Sequence, residues 1–381
     1  MRHNGVRYSI IFTTYSIFPV RALLDHSADQ LRTWFAEREL PAYRAEQVRR
    51  WLFEKRAGGF ADMSDLPKAV RAALVEDFQF WMSRTIGHHQ SADGTEKLLV
   101  ELADGNRIEC VLLRDRLKRT ICISTQVGCA MGCVFCASGL DGVVRNLSTG
   151  EIVEQMLLLN RLLTPEERLS HIVVMGMGEP LANLKNLLPA LAEATSKTGL
   201  GISARRITVS TVGLPDGIRA LAAEEVPYHL AVSLHAPDDE LRSRLVPVNK
   251  NIGLTAIMDA AQDYFNATGR RLTFEYVLLA DVNDSPAHAR RLAALLGNRT
   301  ALVNVIPFNP VEGLPYRAPS DDALARFTAI LEQSRIGVKV RRRRGDKIDA
   351  ACGQLRRSAA AVPPLPPTET PAAVRGLMLG A

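Results

Sequence analysis

Between Ser27 and Phe80 apolar residues recur at helical spacing, as Leu31/Trp34/Phe35, Val48/Trp51/Leu52 and Val70/Leu74/Phe78, with Pro41, Gly58-Gly59 and Pro67 between the runs. The pattern predicts a small all-helical domain, residues 27–87. From Ser91 the spacing changes. Alternating runs at Lys97–Leu102 and Arg107–Leu112 flank Asp104-Gly105-Asn106 and predict a β-hairpin linker, residues 88–118, with Glu109 and Cys110 on opposite faces. Beyond it, short apolar runs at 120–124, 171–175, 206–210, 229–234, 273–279, 302–306 and 338–342 mostly alternate with helical stretches. Such a rhythm predicts an α/β core, residues 119–357, with a parallel sheet curled into a full or partial barrel. Its chemistry belongs on loops at the carboxyl ends of the strands. Residues 1–26 read as a disordered extension and 358–381, rich in Pro and Ala, as a disordered tail.

Composition narrows the class. With 381 residues, 47% hydrophobic and 23% charged, the chain can build a substantial core, and collagen-like, coiled-coil and disulfide-scaffold classes are excluded. The net charge of +6 is modest but uneven, because Arg335 to Arg357 holds nine Lys or Arg against two Asp. A polyanion site is expected there, with a solvated charge run as the competing reading. Arg38, Arg44, Arg49, Arg50 and Arg56 in the helical domain suit either a solvated face or an RNA-contacting one. The stretch Tyr8 to Leu24 carries Tyr, Thr, Ser, Pro19 and Arg21, so it reads as neither signal nor membrane span, and a cytoplasmic protein is expected.

Six cysteines are too few for a disulfide framework, and Cys129, Cys133 and Cys136 fall within eight positions, which points to metal ligation in a reducing compartment. A structural zinc site almost always has four protein ligands, and no fourth Cys or His lies close by in sequence. A [4Fe-4S] cube held by three thiolates leaves one iron free to bind a small molecule.

The C-x3-C-x2-C spacing with Phe135 before the last Cys resembles the radical S-adenosylmethionine signature. That resemblance implies a radical-SAM partial (β/α)6 TIM-like barrel, one [4Fe-4S] cluster on Cys129, Cys133 and Cys136, and cleavage of S-adenosylmethionine to a 5′-deoxyadenosyl radical. Polar residues at the strand ends become candidates for holding S-adenosylmethionine: Gly178 and Glu179 in Gly176-Met-Gly-Glu-Pro180, Ser210, Ser233-Leu234-His235, and Asn309. Singly, each suits ordinary turn chemistry. Together they line one rim.

The block Arg341-Arg-Arg-Arg344-Gly-Asp346-Lys-Ile-Asp349-Ala-Ala-Cys352-Gly-Gln354-Leu355 narrows the resemblance. With Val127-Gly-Cys129, the Gly-Glu-Pro180 turn, Ser233-Leu-His235 and Val282-Asn-Asp284, it is similar to the RlmN/Cfr family of RNA adenine methyltransferases from about Ser27 to Leu355. The family implies Cys352 as methyl carrier through an S-methylcysteine, Glu109 as proton acceptor, and Cys122 as the resolving thiol that forms a transient disulfide with Cys352. It also implies two S-adenosylmethionine per turnover, 23S rRNA and tRNA as partners, an electron donor such as flavodoxin or ferredoxin, and a monomer. Arg344-Gly-Asp346 and Pro180 resemble the type that methylates adenine C2, in the peptidyl-transferase region of rRNA and next to the tRNA anticodon. Methylation at C8 is the alternative. A non-catalytic metal-binding RNA-binding protein would leave Cys122, Cys352 and Glu109 without purpose, and Cys110 reads as a small buried residue with no role.

Overall fold

The computed structural model describes residues 21–341, 345 and 348–356. The first twenty residues, most of the Arg342–Lys347 run, and the tail from Arg357 lie outside the described residues. A short strand β1 (Arg21–Ala22) precedes helices α1 (Ala28–Ala36), α2 (Tyr43–Phe53) and α3 (Lys68–Asp77), and β2 (Phe78–Gln79) closes this part by pairing parallel to β1. Ser27 starts α1 with a capping box, accepting from Gln30 N while Gln30 Oε1 accepts from Ser27 N. Leu31, Trp34, Phe35, Val48, Leu52, Val70 and Leu74 are buried, so the helical periodicity marks the face that packs inward.

Three antiparallel strands follow, β3 (Arg84–Gln90), β4 (Glu96–Glu101) and β5 (Arg107–Asp115), and then β6 (Lys118–Cys122). After β6 come the hairpin pair β7 (Gln126–Gly128) and β8 (Val143–Asn146), and α4 (Thr149–Asn160). The barrel then alternates as β9 (His171–Val174), α5 (Leu184–Thr195), β10 (Ile207–Thr211), α6 (Pro215–Ala223) and β11 (His229–Ser233). It continues through α7 (Asp239–Leu245), α8 (Leu254–Thr268), β12 (Leu272–Leu278), α9 (Pro286–Leu296), β13 (Ala301–Pro307), α10 (Asp321–Gln333) and β14 (Gly337–Val340). Helix starts are chemically marked: Ser148, Asp238, Ser285 and Ser320 cap α4, α7, α9 and α10, and Pro215 and Pro286 open α6 and α9.

One ten-stranded sheet runs in the order β14-β13-β12-β11-β10-β9-β6-β5-β4-β3. The segment from β6 to β14 is parallel, so its carboxyl ends share one edge, and β14 does not close onto β6. This is an open α/β barrel of the expected kind. The hairpin is not a separate linker, because β5 pairs antiparallel with β6, with Val111 opposite Cys122. That pairing makes it an extension of the barrel wall and puts Glu109 against the segment that carries Cys352, through Arg356 N, although Glu109 lines neither the cleft of the clustered cysteines nor the cavity adjoining it.

The structure departs from expectation at the amino end, where Arg21–Asp25 belongs to the fold. Asp25 Oδ1 accepts from Gly150 N at 2.5 Å, at the start of α4, and a Cβ on Gly150 would meet that oxygen at 2.7 Å. Two helical-domain arginines serve as ties to the barrel. Arg49 is buried, donates to Glu193 Oε2 at 2.5 Å and lies over the Phe53 ring, while Arg56 donates to the carbonyls of Leu163, Thr164 and Glu167. Arg38 pairs with Asp77 and Arg50 with Glu54. Glu193→Ala would strand the buried Arg49 charge, and we expect a loss of about 3 kcal/mol in unfolding free energy, read by chemical denaturation. An unchanged midpoint would show that the tie contributes nothing.

Candidate active site

The three clustered cysteines lie on the loop between β7 and β8, beyond the carboxyl end of β6. Gly128 turns the chain there at φ +79°, and a Cβ would fall 2.0 Å from Gly142 O, so only glycine fits. The loop sits on a small apolar cluster of Phe135, Ala137, Val212, Ala236, Leu241, Leu245, Val246, Leu279, Phe308 and Val311. Beside Cys133 lies Arg242, fully buried, whose guanidinium donates to Leu234 O, Val212 O, Ser233 O and Asn249 Oδ1. It thereby fixes the loops after β10 and β11.

Burial pushes the Cys129 thiol up to about 12, and Cys133 and Cys136 are also raised, by burial and, between the thiols, by mutual repulsion of their charged forms. Three enclosed thiols that disfavour each other's ionisation need a cationic centre to become thiolates. Among the described residues no three His, Cys, Asp or Glu side chains converge where a single metal ion would sit. The donor set fits an iron-sulfur cluster with three protein ligands.

Cys129, Cys133 and Cys136 open onto a cleft of about 910 Å³, which is also lined by Gly178, Glu179, Ser210, Ser233, His235 and Asn309. The glycine-rich turn is pressed against the loop after β6. A Cβ on Gly176 would lie 2.6 Å from Ser124 Oγ, and one on Gly178, at φ +99°, 2.6 Å from Gln126 Cβ. Glu179 is buried, its carboxylate accepting from Leu181 N at 3.0 Å and Val212 N at 2.8 Å, and burial raises its pKa. His235 accepts from Val277 N through Nδ1 at 3.1 Å, and burial lowers its pKa to about 3. It is therefore a neutral imidazole carrying its proton on Nε2. Leu234 is buried away from the cleft lining, with its amide on Glu275 O.

Cys352 sits on a turn laid across this mouth. Asn309 Nδ2 donates to Cys352 O at 3.0 Å, Ala137 N to Gly353 O at 2.8 Å, Ser138 Oγ to Leu355 O at 2.6 Å and Gln354 Nε2 to Pro310 O at 2.8 Å. Cys352 lines the cleft and also an adjoining cavity of about 590 Å³, shared with Cys122. Met175, Ile306, Asn309 and Arg341 border both spaces. Burial, followed by the nearby Cys352, pushes Cys122 up to about 12. Glu109 is buried rather than an exposed strand residue, and burial raises its pKa while Lys97, at 2.8 Å, pulls it down. Cys110 is fully buried and lines neither space.

Two site residues were not anticipated. Glu275 lines the cleft, with Oε1 accepting from Asn304 Nδ2 at 3.0 Å and Oε2 buried without a hydrogen-bond partner among the described residues. The other is Arg242. An acid inside the apolar run 273–279 was the signal for Glu275, whereas nothing local marks Arg242.

Comparison with known proteins gives a consistent picture. Residues 123–293 match the family described as Radical SAM superfamily, and residues 21–79 match the Ribosomal RNA large subunit methyltransferase N-terminal domain. The chain is 60% identical over 336 residues to a probable dual-specificity RNA methyltransferase RlmN of Rhodopirellula baltica, covering 88% of this chain and 91% of the relative. A protein of the same description from Thermotoga maritima is 44% identical over 339 residues, covering 88% and 98%. The solved structure of a radical SAM methyltransferase from Sphaerobacter thermophilus superposes with a TM-score of 0.86 at 42% identity, covering 89% of this chain and all of that one.

The turn at Gly178 invites a direct check. Gly178→Ala places a Cβ in left-handed backbone against Gln126, and we expect it to cost about 1–3 kcal/mol in denaturant unfolding. Wild-type stability would mean that the turn has room the geometry denies.

Proposed function

This chain belongs to the RlmN family of radical S-adenosylmethionine RNA methyltransferases, and we propose that it methylates C2 of adenine in 23S rRNA and in tRNA, in the cytoplasm, using Cys352 as a covalent methyl carrier. The observation that carries the reading is that Cys352 borders both the cleft of the three cluster cysteines and the cavity of Cys122. A carrier must face a methyl source and then a resolving thiol, and one turn at the junction of the two spaces meets both needs.

Cys129, Cys133 and Cys136 would hold the cluster, and Gly178, Glu179, Ser210, Ser233, Leu234, His235 and Asn309 would form the S-adenosylmethionine site, Leu234 through its backbone. When bound, the cluster supplies the electron that cleaves S-adenosylmethionine to a radical. The Cys352 sulfur takes a methyl group from one S-adenosylmethionine, loses a hydrogen atom from that methyl to the radical made from a second, and bonds through the resulting methylene to the electron-poor ring carbon. Glu109 takes the ring proton, and the radical adduct gives back one electron, the equivalent of the one spent on cleavage. Cys122, giving up its thiol proton, then attacks the Cys352 sulfur; the electron pair of the sulfur-carbon bond passes to the methylene carbon, which takes up a proton, and the methylated base departs as the disulfide forms.

The helical domain, residues 27–87, serves as an RNA-binding accessory surface in this reading. Tyr43 is 56% exposed with the Arg44 guanidinium 4.8 Å from its ring, a pair suited to an unstacked base and its phosphate. Arg342–Arg344, outside the described residues, would add phosphate contacts.

Product analysis of RNA from a host expressing the chain tests the position: 2-methyladenosine is expected, and 8-methyladenosine would move the assignment to the C8 type. Cys122→Ala should accumulate a protein-RNA species that survives denaturing electrophoresis and disappears with RNase, whereas Cys122→Ala/Cys352→Ala should not. Wild-type turnover by Cys122→Ala would make Cys122 a core residue of β6. Because Glu109 must be ionised to take a proton and its pKa is raised, RNA methylation should fall with decreasing pH above the ordinary 4.5 of glutamate. Methyl transfer to Cys352 should lack that limb, and identical pH profiles for the two steps would count against Glu109.

A further inference from the structure

Lys97 and Glu109 are diagonal neighbours on the paired strands β4 and β5, on one face of the sheet. Their side chains are only 7% and 6% exposed, and Nζ lies 2.8 Å from Oε1. Neither group stops at the pair. Lys97 Nζ also donates to Asp349 O at 3.1 Å, and Glu109 Oε2 also accepts from Arg356 N at 2.9 Å. Asp349 and Arg356 stand on either side of Cys352, so the ion pair grips the cysteine turn at both shoulders. Among the described residues the other bonds to this turn from distant parts of the chain come from the barrel side, through Ala137, Ser138, Asn309, Pro310 and Glu312. The grip is the hairpin's contribution.

A lysine in a strand ordinarily turns its ammonium to water, and burying it is costly unless its charge is paired. Here the two acceptors are one carboxylate and one carbonyl of the turn. We propose that Lys97 is a positioning residue that, with ionised Glu109, clasps the Cys352 turn across the barrel mouth, and that the clasp slackens when Glu109 takes up a proton. The proposal rests on reading Glu109 as the proton acceptor.

The coupling follows from charge. Lys97, Asp349 and the Arg356 amide face Glu109, and His89 on β3, paired opposite Lys97, is a further titratable group facing that ammonium. With the carboxylate ionised, the pair is neutral overall and the amide of Arg356 has a charged acceptor. Once the ring proton resides on Glu109, its carboxyl no longer offers the Lys97 ammonium a charged acceptor, and Arg356 N faces a neutral acid, a weaker acceptor. Both shoulders of the turn then loosen together. That is the stage at which Cys352 must turn its sulfur from the base toward Cys122.

Hydrogen-deuterium exchange on the cluster-loaded enzyme tests the clasp. Lys97→Met should speed exchange of the peptide covering 349–356 at least about tenfold, since a charge-assisted bond is lost, with cluster content and S-adenosylmethionine cleavage unchanged. Lys97→Arg should restore much of the protection. Glu109→Gln keeps the carboxyl's shape without its charge and should loosen the same peptide with Lys97 in place, and it carries the measurement if Lys97→Met does not fold. Wild-type exchange at 349–356 in these variants overturns the clasp. Full RNA methylation by Glu109→Gln overturns the proton-acceptor reading and the proton coupling, while faster exchange in Lys97→Met would still establish the grip.

Discussion

A single turn, residues 349–356, is held down by hydrogen bonds from several separated stretches of chain: Lys97 and Glu109 on the hairpin, Ala137 and Ser138 after the cysteine loop, and Asn309 and Pro310 after the last long strand. Backbone groups at a barrel mouth would otherwise be left to water, and those of Asp349, Cys352, Gly353, Leu355 and Arg356 are instead shared among three walls. These bonds hold Cys352 where it borders both spaces. Parallel strands from β6 to β14 bring the cysteine loop, the glycine turn, Ser210, Ser233 and Asn309 to one edge, but Cys352 reaches that edge only because the chain folds back after β14.

Buried cations balance the thiols. Arg242 lies beside Cys133 with its donors satisfied by carbonyls and Asn249, and Arg341 lies among Cys122, Cys352 and Glu275 at the wall between the two spaces. A buried guanidinium is costly, yet thiolate chemistry in a dry cleft requires positive charge at fixed positions. The same economy explains the glycines: Gly176 and Gly178 let the second strand's loop lie directly on Ser124 and Gln126, and Ser124 in turn donates to Glu109 O at 2.7 Å. Cleft, hairpin and the turn of Cys352 are thus joined through hydrogen bonds and close contacts.

Much of this was legible in the sequence because the barrel strands are short apolar runs, and each expected run overlaps an observed strand, from β6 through β14. β3 was not legible: Arg84–Gln90 holds two His, a Gly and an Arg, and as an edge strand it needs no apolar alternation. β7 and β8 are too short to show a period. The candidate residues on strand ends could be found because turn chemistry and glycine mark them. Lys97 could not, because a strand lysine reads as solvent-facing until its acceptors, far away in sequence, are known. The fold of Arg21–Asp25 was hidden for the same reason, since its partner Gly150 lies 125 positions on.

In the proposed reaction the methyl group passes through Cys352. Enzyme whose Cys352 has been methylated with trideuterated S-adenosylmethionine, then freed of it, can be given unlabelled S-adenosylmethionine and RNA for one turnover, and the methyladenosine weighed by mass spectrometry. Loss of one hydrogen atom from the carried methyl group leaves two deuterium atoms in the first product, and that is the expected result. Three deuterium atoms would mean transfer of an intact methyl group, and none would remove Cys352 from the path.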